Sequence, residues 1–410
     1  MKGKRIMTVL SALAVGLSSM TALGCTPRGE ILKIYNWGDY IEESLIEEFE
    51  SWYEEETGKR ITVDYDTFDT NETMIMRIET QKADYDLVCP SDYMAERMIK
   101  DGLAQKVDTE IFDPAEPDLF YDGLADMIKP FDENNEYFVP YVWGTFGIMY
   151  DVNHIEAGSS ELESWEAMWS DKWLKESGRK RTLMKDSVRD AYSLARIYAN
   201  RDKLSQLSNG FTDYNDDYRT ELISYFSEVD NKAIKQAQDA LVAQKSLICK
   251  YEVDDGKNDM LAGTTDAWLG FFWSCDAGLI MIEEGGDHFY YTVPEEGSNV
   301  WVDGWIIPKY AKNTEAANYF LKFINTYEYA AINFDWMGES VAVKSVMEDA
   351  KQAILDDDEF EDDYYEGFRD MYVDMMFPPP EVLARCGVMR DFGIKMNTEL
   401  DSMWIDVKTI

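Results

Sequence analysis

Residues 31–90 decide the fold class, and they read ILKIYNWGDYIEESLIEEFESWYEEETGKRITVDYDTFDTNETMIMRIETQKADYDLVCP. Short apolar or alternating runs predict three strands, over 31–36, 61–65 and 85–89. Apolar residues at helical spacing predict two helices, over 42–56 and 71–82. Strand, helix, strand, helix and strand in this order predict a parallel sheet wrapped by helices, and therefore an α/β protein.

The rest of the chain continues this mixture without an internal repeat or a flexible linker. Helical spacing recurs over 165–169, 190–200, 230–244, 316–325 and 383–404. Strand-like runs recur over 269–273, 290–293 and 301–307. Because no linker rich in Pro, Gly or Ser is present, we expect the boundary between two lobes to run through strand-like crossovers at 140–143 and 298–300.

The N-terminus has the features of an export signal. Three basic residues precede an uncharged, mostly apolar run over 6–23, which ends next to Cys25. We interpret residues 1–24 as a cleaved signal peptide and not as a transmembrane helix, because the run is N-terminal and rich in Ser, Gly and Ala. Cys25 is then the predicted site of a lipid that anchors the protein to the membrane, at the cell surface or in the periplasm. Ordinary cleavage that leaves Cys25 as a free thiol is the alternative.

The chain is strongly acidic. It has 80 acidic and 39 basic residues among 410, and a net charge of −41. Loss of residues 1–24 removes three basic residues and no acid, so the net charge becomes −44. Such a chain is repelled by nucleic acid and attracts cations towards any cleft, although solubility alone would also explain the charge. The acidic run 356–363 lacks the glycine and the ligand spacing of a calcium loop and is interpreted as solvated surface.

Residues that would mark catalysis or a metal site are scarce. His154 and His288 are the only histidines, neither lies in an HExxH motif, and no GxSxG elbow occurs. Four widely spaced cysteines follow Cys25 without a CxxC motif: Cys89, Cys249, Cys275 and Cys386. They indicate neither a disulfide scaffold nor a zinc module, and leave a disulfide pair open. We therefore predict a binding protein without cofactor or metal, and not an enzyme.

Aromatic and acidic residues recur at the predicted carboxyl ends of strands, where ligands bind in open α/β sheets. The clusters are Trp37-Gly38-Asp39-Tyr40, Ser91-Asp92-Tyr93, Trp273-Ser274-Cys275-Asp276 and Trp301-Val302-Asp303. Aromatic faces bind alkyl chains and attract ammonium groups, and carboxylates bind ammonium ends through charge-assisted hydrogen bonds. The combination fits a linear polyamine, while core packing is the alternative for any single aromatic residue.

Several motifs, in this order along the chain, resemble the spermidine/putrescine-binding proteins of bacterial ABC importers. They are Tyr35-Asn36-Trp37-Gly38-Asp39-Tyr40, Asn71-Glu72-Thr73-Met74, Tyr85-Asp86-Leu87-Val88-Cys89-Pro90-Ser91, Pro140-Tyr141-Val142-Trp143-Gly144, Ser164-Trp165 with Trp169, and Trp301-Val302-Asp303 with Ile306-Ile307-Pro308. The resemblance implies a two-lobed periplasmic-binding-protein-like fold of type II, with two α/β lobes joined by crossing strands and the ligand held between them. After a tether at 25–30, it implies lobe 1 over 29–142 and 301–345, and lobe 2 over 143–300 and 346–410.

The resemblance also implies which residues bind the ligand. They are Trp37, Asp39, Tyr40, Ser91, Tyr93, Asp190, Trp273, Asp276, Trp301 and Asp303. Among them, Asp303 matches the principal ammonium-binding carboxylate, and Trp273 and Trp301 match the aromatic plates that flank the methylene chain. Asp276 resembles the acid of putrescine-preferring members, and neutral Ser187 stands where spermidine binders can have a second acid. The pair favours a diamine.

The sequence therefore predicts an extracytoplasmic solute-binding protein that captures putrescine or spermidine and delivers it to the permease of an ABC importer. Its partners would be the polyamine, the permease and ATPase subunits, and the membrane through Cys25, with no nucleic acid and a monomeric state. A binder or sensor of another organic cation on the same fold is one alternative. An extracellular glycan hydrolase, with tryptophans as sugar platforms, is the other.

Overall fold

The computed structural model of the chain describes residues 29–252, 255–357 and 367–409. The predicted signal peptide over 1–24, the lipid site Cys25 and most of the acidic run lie outside the described residues. The described chain divides into two compact units. The first unit comprises 29–143 and Val302–Ala353, and the second comprises Gly144–Trp301 and 354–409.

Strands and helices alternate strictly up to residue 151 and less regularly after it. Up to residue 151 they are β1 (Glu30–Trp37), α1 (Ser44–Thr57), β2 (Ile61–Phe68), α2 (Asn71–Glu79), β3 (Leu87–Val88), α3 (Asp92–Lys100), β4 (Ala104–Gln105), α4 (Leu124–Ile128) and β5 (Val139–Asp151). Two short 3-10 helices, Ser160–Glu163 and Trp165–Trp169, are followed by α5 (Lys172–Ser177), β6 (Thr182–Lys185), α6 (Val188–Ala199), α7 (Arg201–Leu207), α8 (Asp216–Ser227), α9 (Asn231–Gln244), β7 (Ile248–Glu252) and α10 (Asp255–Leu261). Next come β8 (Leu269–Trp273), α11 (Ser274–Ile282), β9 (Phe289–Thr292), β10 (Ser298–Trp305), β11 (Ile307–Pro308), α12 (Thr314–Ile324), α13 (Tyr327–Met337) and α14 (Lys344–Leu355). The last are α15 (Phe368–Met376), α16 (Pro380–Ala384), β12 (Cys386–Gly387) and α17 (Ile394–Thr409).

The first unit contains the predicted strand-helix-strand-helix-strand order of residues 31–90. Its parallel sheet has the order β2-β1-β3, and β1 pairs with β2 from Glu30 with Ile61 to Trp37 with Phe68. Since parallel strands end at the same edge of a sheet, the loops that follow β1 and β3 lie at one edge. This edge carries two of the four predicted clusters.

Helix α1 shows why the local pattern was readable. Leu45, Phe49 and Tyr53 are spaced four residues apart and are buried, so they form one apolar face. Phe49 packs edge-on against Phe320 of α12, with ring centroids 5.1 Å apart. Gly58 ends the helix in the left-handed conformation, with φ at 72°, which glycine adopts without a steric penalty.

The second unit is built on a sheet of order β12-β10-β5-β8-β6-β7, with β9 also paired to β5. Strand β6 pairs in parallel with β8 and with β7, so that Thr182 lies opposite both Leu269 and Ile248. The last residues of β6 and β8, Lys185 and Trp273, therefore reach the same edge of the sheet. Helices α6 and α11 begin directly after these strands, which places their first turns at this edge too.

The predicted helix over 383–404 is wrong. The segment contains the end of α16, the strand β12 and only part of α17. Cys386 and Gly387 pair with Ser298 and Asn299 of β10, and Gly393 has a φ of 75° immediately before α17. Pairing with a distant strand outweighs the local helical spacing here, because propensity is a weak prior against tertiary contacts. The 165–169 segment forms a 3-10 helix, not an α-helix.

Candidate ligand-binding site

The carboxylate of Asp303 is the centre of the candidate site in the first unit. Asp303 is 9% exposed and forms a backbone bridge with Ser91. The hydroxyl of Tyr40 donates to Oδ2 of Asp303 at 3.0 Å, and the hydroxyl of Ser91 is a second hydrogen-bond partner. Burial raises the pKa of Asp303 to about 6, although the two hydroxyls oppose the shift. Among the described groups that shift it, none is a cation, so neutral donors alone hold this carboxylate.

The loop after β1 that carries Tyr40 is held from behind by a chain of hydrogen bonds. The hydroxyl of Tyr141 donates to the carbonyl oxygen of Tyr40 at 2.7 Å, and Asn333 Nδ2 donates to the hydroxyl of Tyr141 at 2.7 Å. The backbone N–H of Glu42 donates to Asn333 Oδ1 at 2.9 Å. Asp39 turns the chain with a φ of 52°, and its side chain is exposed. The phenol of Tyr40 is therefore fixed relative to Asp303.

Asn71, the first residue of α2, positions the side chains of Ser91 and Tyr93. Its side chain is buried, and its amide donates to Ser91 Oγ and to the hydroxyl of Tyr93, each at 3.0 Å. The backbone N–H of Ser91 donates back to Asn71 Oδ1 at 3.2 Å. Asn71 is not among the residues implied to bind ligand. The sequence signal that could have indicated its positioning role is that Asn71 is a polar residue at the start of a helix that follows a strand.

Trp37 contributes an aromatic ring at the end of β1. The ring is half-buried against Phe68, with ring centroids 4.5 Å apart. Its indole nitrogen is buried and has no hydrogen-bond partner in the described part of the chain. A buried indole N–H normally finds an acceptor, so Trp37 brings both an aromatic surface and an unsatisfied donor to this edge.

In the second unit, the candidate carboxylate already has a cation. Lys185 Nζ lies 2.7 Å from Asp276 Oδ2 and 3.3 Å from the centroid of the Trp273 ring. The side chains of Lys185 and Asp276 are only 2% and 7% exposed. The carboxylate and the aromatic face therefore bind an ammonium group that belongs to the chain itself. The sequence pattern singles out Trp273 and Asp276 but not Lys185, because nothing in the sequence shows that this lysine lies close to Asp276 in space.

Asp190 is a second carboxylate of this unit, in the first turn of α6. Burial raises its pKa to about 6, while hydrogen bonds with Ser187 and Trp273 and the charges of Lys185 and Arg189 oppose the shift. Within the described ranges Asp190 makes no ion pair, so it differs from Asp276. The predicted residues Asp190, Trp273 and Asp276 thus come together at one edge of the sheet.

Trp301 lies at the point where β10 leaves the second unit and is half-buried. It packs against the backbone of Gly144: a Cβ at residue 144 would lie 2.7 Å from Trp301 Cζ2 and 2.5 Å from Ser274 Oγ. The position therefore requires glycine for the close approach of the indole ring. Asp303 follows two residues later on the same strand, in the first unit.

The remaining groups with reactive side chains give no other centre. The four described cysteines are free thiols, and burial raises the pKa of Cys386 to about 12. Across the described residues no cluster of three or more His, Cys, Asp or Glu side chains is arranged to hold a metal ion. In the same ranges no helix has the length and the apolar character that a membrane span requires.

Comparison with known proteins places the chain in a family. The model of the family described as bacterial extracellular solute-binding protein matches residues 45–362. The spermidine/putrescine-binding periplasmic protein of Salmonella typhimurium is 30% identical over 328 residues, which cover 79% of each chain. The putrescine-binding periplasmic protein SpuD of Pseudomonas aeruginosa is 25% identical over 416 residues, which cover 99% of each chain.

The fold agrees with a solved structure. The crystal structure of the spermidine/putrescine ABC transporter substrate-binding protein PotD from Streptococcus pneumoniae superposes with a TM-score of 0.67 at 25% identity, over 93% of this chain and 99% of that one. The predicted α/β, two-lobed periplasmic-binding-protein-like fold is confirmed, as is the resemblance read from the motifs. The relatives are binding proteins, in agreement with the prediction of a binding protein. The chain belongs to the bacterial extracellular solute-binding protein family.

Proposed function

We propose that this protein captures a polyamine, putrescine or spermidine, outside the cytoplasm and delivers it to the permease of an ABC importer. The single observation that carries the proposal is Asp303, a buried carboxylate held by the hydroxyls of Tyr40 and Ser91, with no cation beside it in the described part of the chain. The names of the relatives support the same ligand class, since they are described as binding spermidine or putrescine.

The chemistry of the two clusters suits ammonium groups on an alkyl chain. Leaving a carboxylate buried without a counter-ion is unfavourable, as the raised pKa of Asp303 shows. A ligand ammonium would supply the positive charge that the neutral hydroxyls cannot, and would donate further hydrogen bonds to the carboxylate. Asp190 offers the second unit a comparable group, and the rings of Trp37 and Trp301 suit methylene groups.

The compartment rests on the N-terminal sequence and on the relatives. Residues 1–24 have the pattern of a signal peptide, and the relatives are named as periplasmic proteins. In this proposal Cys25 carries the lipid that keeps the protein at the membrane near its permease and ATPase. Tethering raises the effective concentration of the loaded protein at the permease. The net charge of −44 that remains after loss of residues 1–24 would also draw polyamine cations towards the protein.

Thermal unfolding and titration calorimetry test the proposed ligand class. We expect putrescine or spermidine at micromolar concentration to raise the melting temperature, because a ligand that binds only the folded state stabilises it. Calorimetry should give a stoichiometry of one. A sugar panel and a thiamine-like cation are the controls. Stabilisation by one of these controls and by neither polyamine would refute the proposal, and turnover of a glycan would favour the hydrolase instead.

A further inference from the structure

Lys185 places its own ammonium group where the sequence predicts that a ligand ammonium group would bind. It is the last residue of β6 and is buried, and its ammonium group faces both Asp276 and the ring of Trp273. An aromatic face combined with a carboxylate is the arrangement with which proteins recognise an ammonium ion. Here the ion is covalently attached to the chain.

Stability by itself gives a weak reason for such a pair. Removing two charges from water is so unfavourable that apolar residues of similar volume are often as stabilising as a buried ion pair. Side chains that are 2% and 7% exposed fall in this regime. The pair is better explained by what it does to the charge of the cluster.

The pair leaves the second-unit cluster with one carboxylate that has no counter-ion. Asp276 is neutralised by Lys185, residue 187 is an uncharged serine, and Asp190 makes no ion pair within the described ranges. The charge of Lys185 also acts on Asp190, so a cation in excess of the one that Asp190 can neutralise would be repelled. The first-unit cluster likewise has one such carboxylate, Asp303.

We propose that Lys185 is a specificity-determining residue: its ammonium group occupies the cation position formed by Asp276 and Trp273, so that the protein prefers a ligand with two ammonium groups to one with three. The inference rests on the proposed function, since it presupposes a polyamine. A third ammonium group would be desolvated without a carboxylate to receive it, which is strongly unfavourable.

Titration calorimetry of the full chain and of Lys185→Met, each with putrescine and spermidine, tests the inference. Methionine keeps an unbranched, flexible side chain that is one atom shorter, and it removes the charge. We expect the ratio of spermidine to putrescine affinity to rise by about tenfold or more in the variant, because the third ammonium group can then pair with Asp276. An unchanged or lower ratio overturns the inference. If the full chain binds neither polyamine, the proposed function itself fails, and the inference fails with it.

Two further variants test whether the lost charge of Lys185 causes the change in the ratio of spermidine to putrescine affinity. Lys408→Met removes the same charge in the same unit, where Lys408 pairs with Asp186, and should leave the ratio as it is. In the double variant Lys185→Met with Asp276→Asn, the gain for spermidine should disappear, because no carboxylate remains to receive the ammonium. A gain that persists in the double variant would show that added space is responsible, and would overturn the inference.

A second measurement does not depend on the folding of Lys185→Met. In Lys185→Ala, n-propylammonium, which reproduces the part of the side chain that is lost, should raise the melting temperature or the folded fraction more than 1-propanol does. The full chain, in which the position is filled, should show a smaller difference between the two additives. Equal responses of the variant and the full chain would overturn the inference.

Discussion

Asp303 in the first unit and Asp276 in the second unit are both buried carboxylates next to residues implied to bind ligand, but their surroundings differ. Asp303 is held by the hydroxyls of Tyr40 and Ser91, and its pKa is raised to about 6 by burial. Asp276 is held by the ammonium group of Lys185 at 2.7 Å. Asp303 has no counter-ion among the described residues of its own unit, whereas Asp276 has an internal one, Lys185.

This difference shows that a tryptophan and an aspartate can be present in two clusters and still differ in whether the aspartate is available to a ligand cation. Both clusters have an acid shortly after a tryptophan along the chain: Asp303 two residues after Trp301, and Asp276 three residues after Trp273. The electrostatic state of the acid depends on whether a lysine is close in space. The following predictions test this contrast, from the largest expected effect to the smallest.

Asp276→Asn should lower the stability of the ligand-free protein. It leaves the ammonium group of Lys185 buried without a counter-ion, and breaking a buried pair on one side costs about 3–5 kcal/mol of unfolding free energy. Denaturant unfolding measures the loss. Lys185→Met added to Asp276→Asn should recover most of it. If Asp276→Asn alone were as stable as the parent protein, the ion pair between Lys185 and Asp276 would be solvated, and Asp276 would not differ from Asp303 in the way described.

Asp303→Asn should have the opposite effect to Asp276→Asn: it should weaken ligand binding and leave the stability of the ligand-free protein intact. Polyamine affinity should fall by about 100-fold or more, because removing one partner of a buried charge pair costs about 2–5 kcal/mol of binding free energy. The ligand-free protein should be at least as stable as before, since the amide avoids a buried charge. Calorimetry and thermal unfolding measure both. Asp335→Asn is the matched control, because burial also raises the pKa of this first-unit aspartate to about 6. Affinity unchanged in Asp303→Asn would contradict its role in the site.

Acid should weaken polyamine binding, while the protonation of Asp303 and Asp190 stabilises the ligand-free protein. The pKa values of Asp303 and Asp190 are raised from 3.8 to about 6, so the folded state holds these protons more tightly than the unfolded state. Their contribution to the unfolding free energy therefore falls as the pH rises from 3.8 to about 6, and is fully lost above that value. If a carboxylate receives a ligand cation, as proposed, it does so only when it is ionised, so affinity should fall by about tenfold for each such carboxylate between pH 7 and pH 5.

Calorimetric titrations at pH 5, 6 and 7.5 measure this dependence. In Asp303→Asn the dependence should weaken, because one of the two titrating groups is gone, whereas Asp335→Asn should keep it. An affinity that is constant across this range would show that neither carboxylate contacts the ligand cation.

Much of the architecture was predictable because it depends on local pattern. The alternation of strands and helices over 31–90 follows from the spacing of apolar residues, and the structure confirms it. The helix over 383–404 was predicted wrongly, since Cys386 and Gly387 pair with β10, some 88 residues earlier in the chain. Local spacing carries no information about a distant partner strand.

The site was predictable in its residue types and less so in their electrostatic state. Aromatic and acidic residues at strand ends pointed to a polyamine, and the structure brings Tyr40, Ser91 and Asp303 together. The structural role of Asn71 was missed, because its partners Ser91 and Tyr93 follow it by 20 and 22 residues. Binding to a ligand remains a prediction for each of these residues.

The sequence by itself determined the α/β class and the acidic charge of this protein, because these properties follow from short-range periodicity and from composition. Its ordered motifs identified the family by resemblance. Only the tertiary structure decided which of its carboxylates has a cation of its own. Lys185 and Asp276 are 91 residues apart and meet because β6 and β8 are parallel neighbours that end at the same edge. The ionisation of a buried group depends on charges a few ångströms away in space, and that distance is set by the fold.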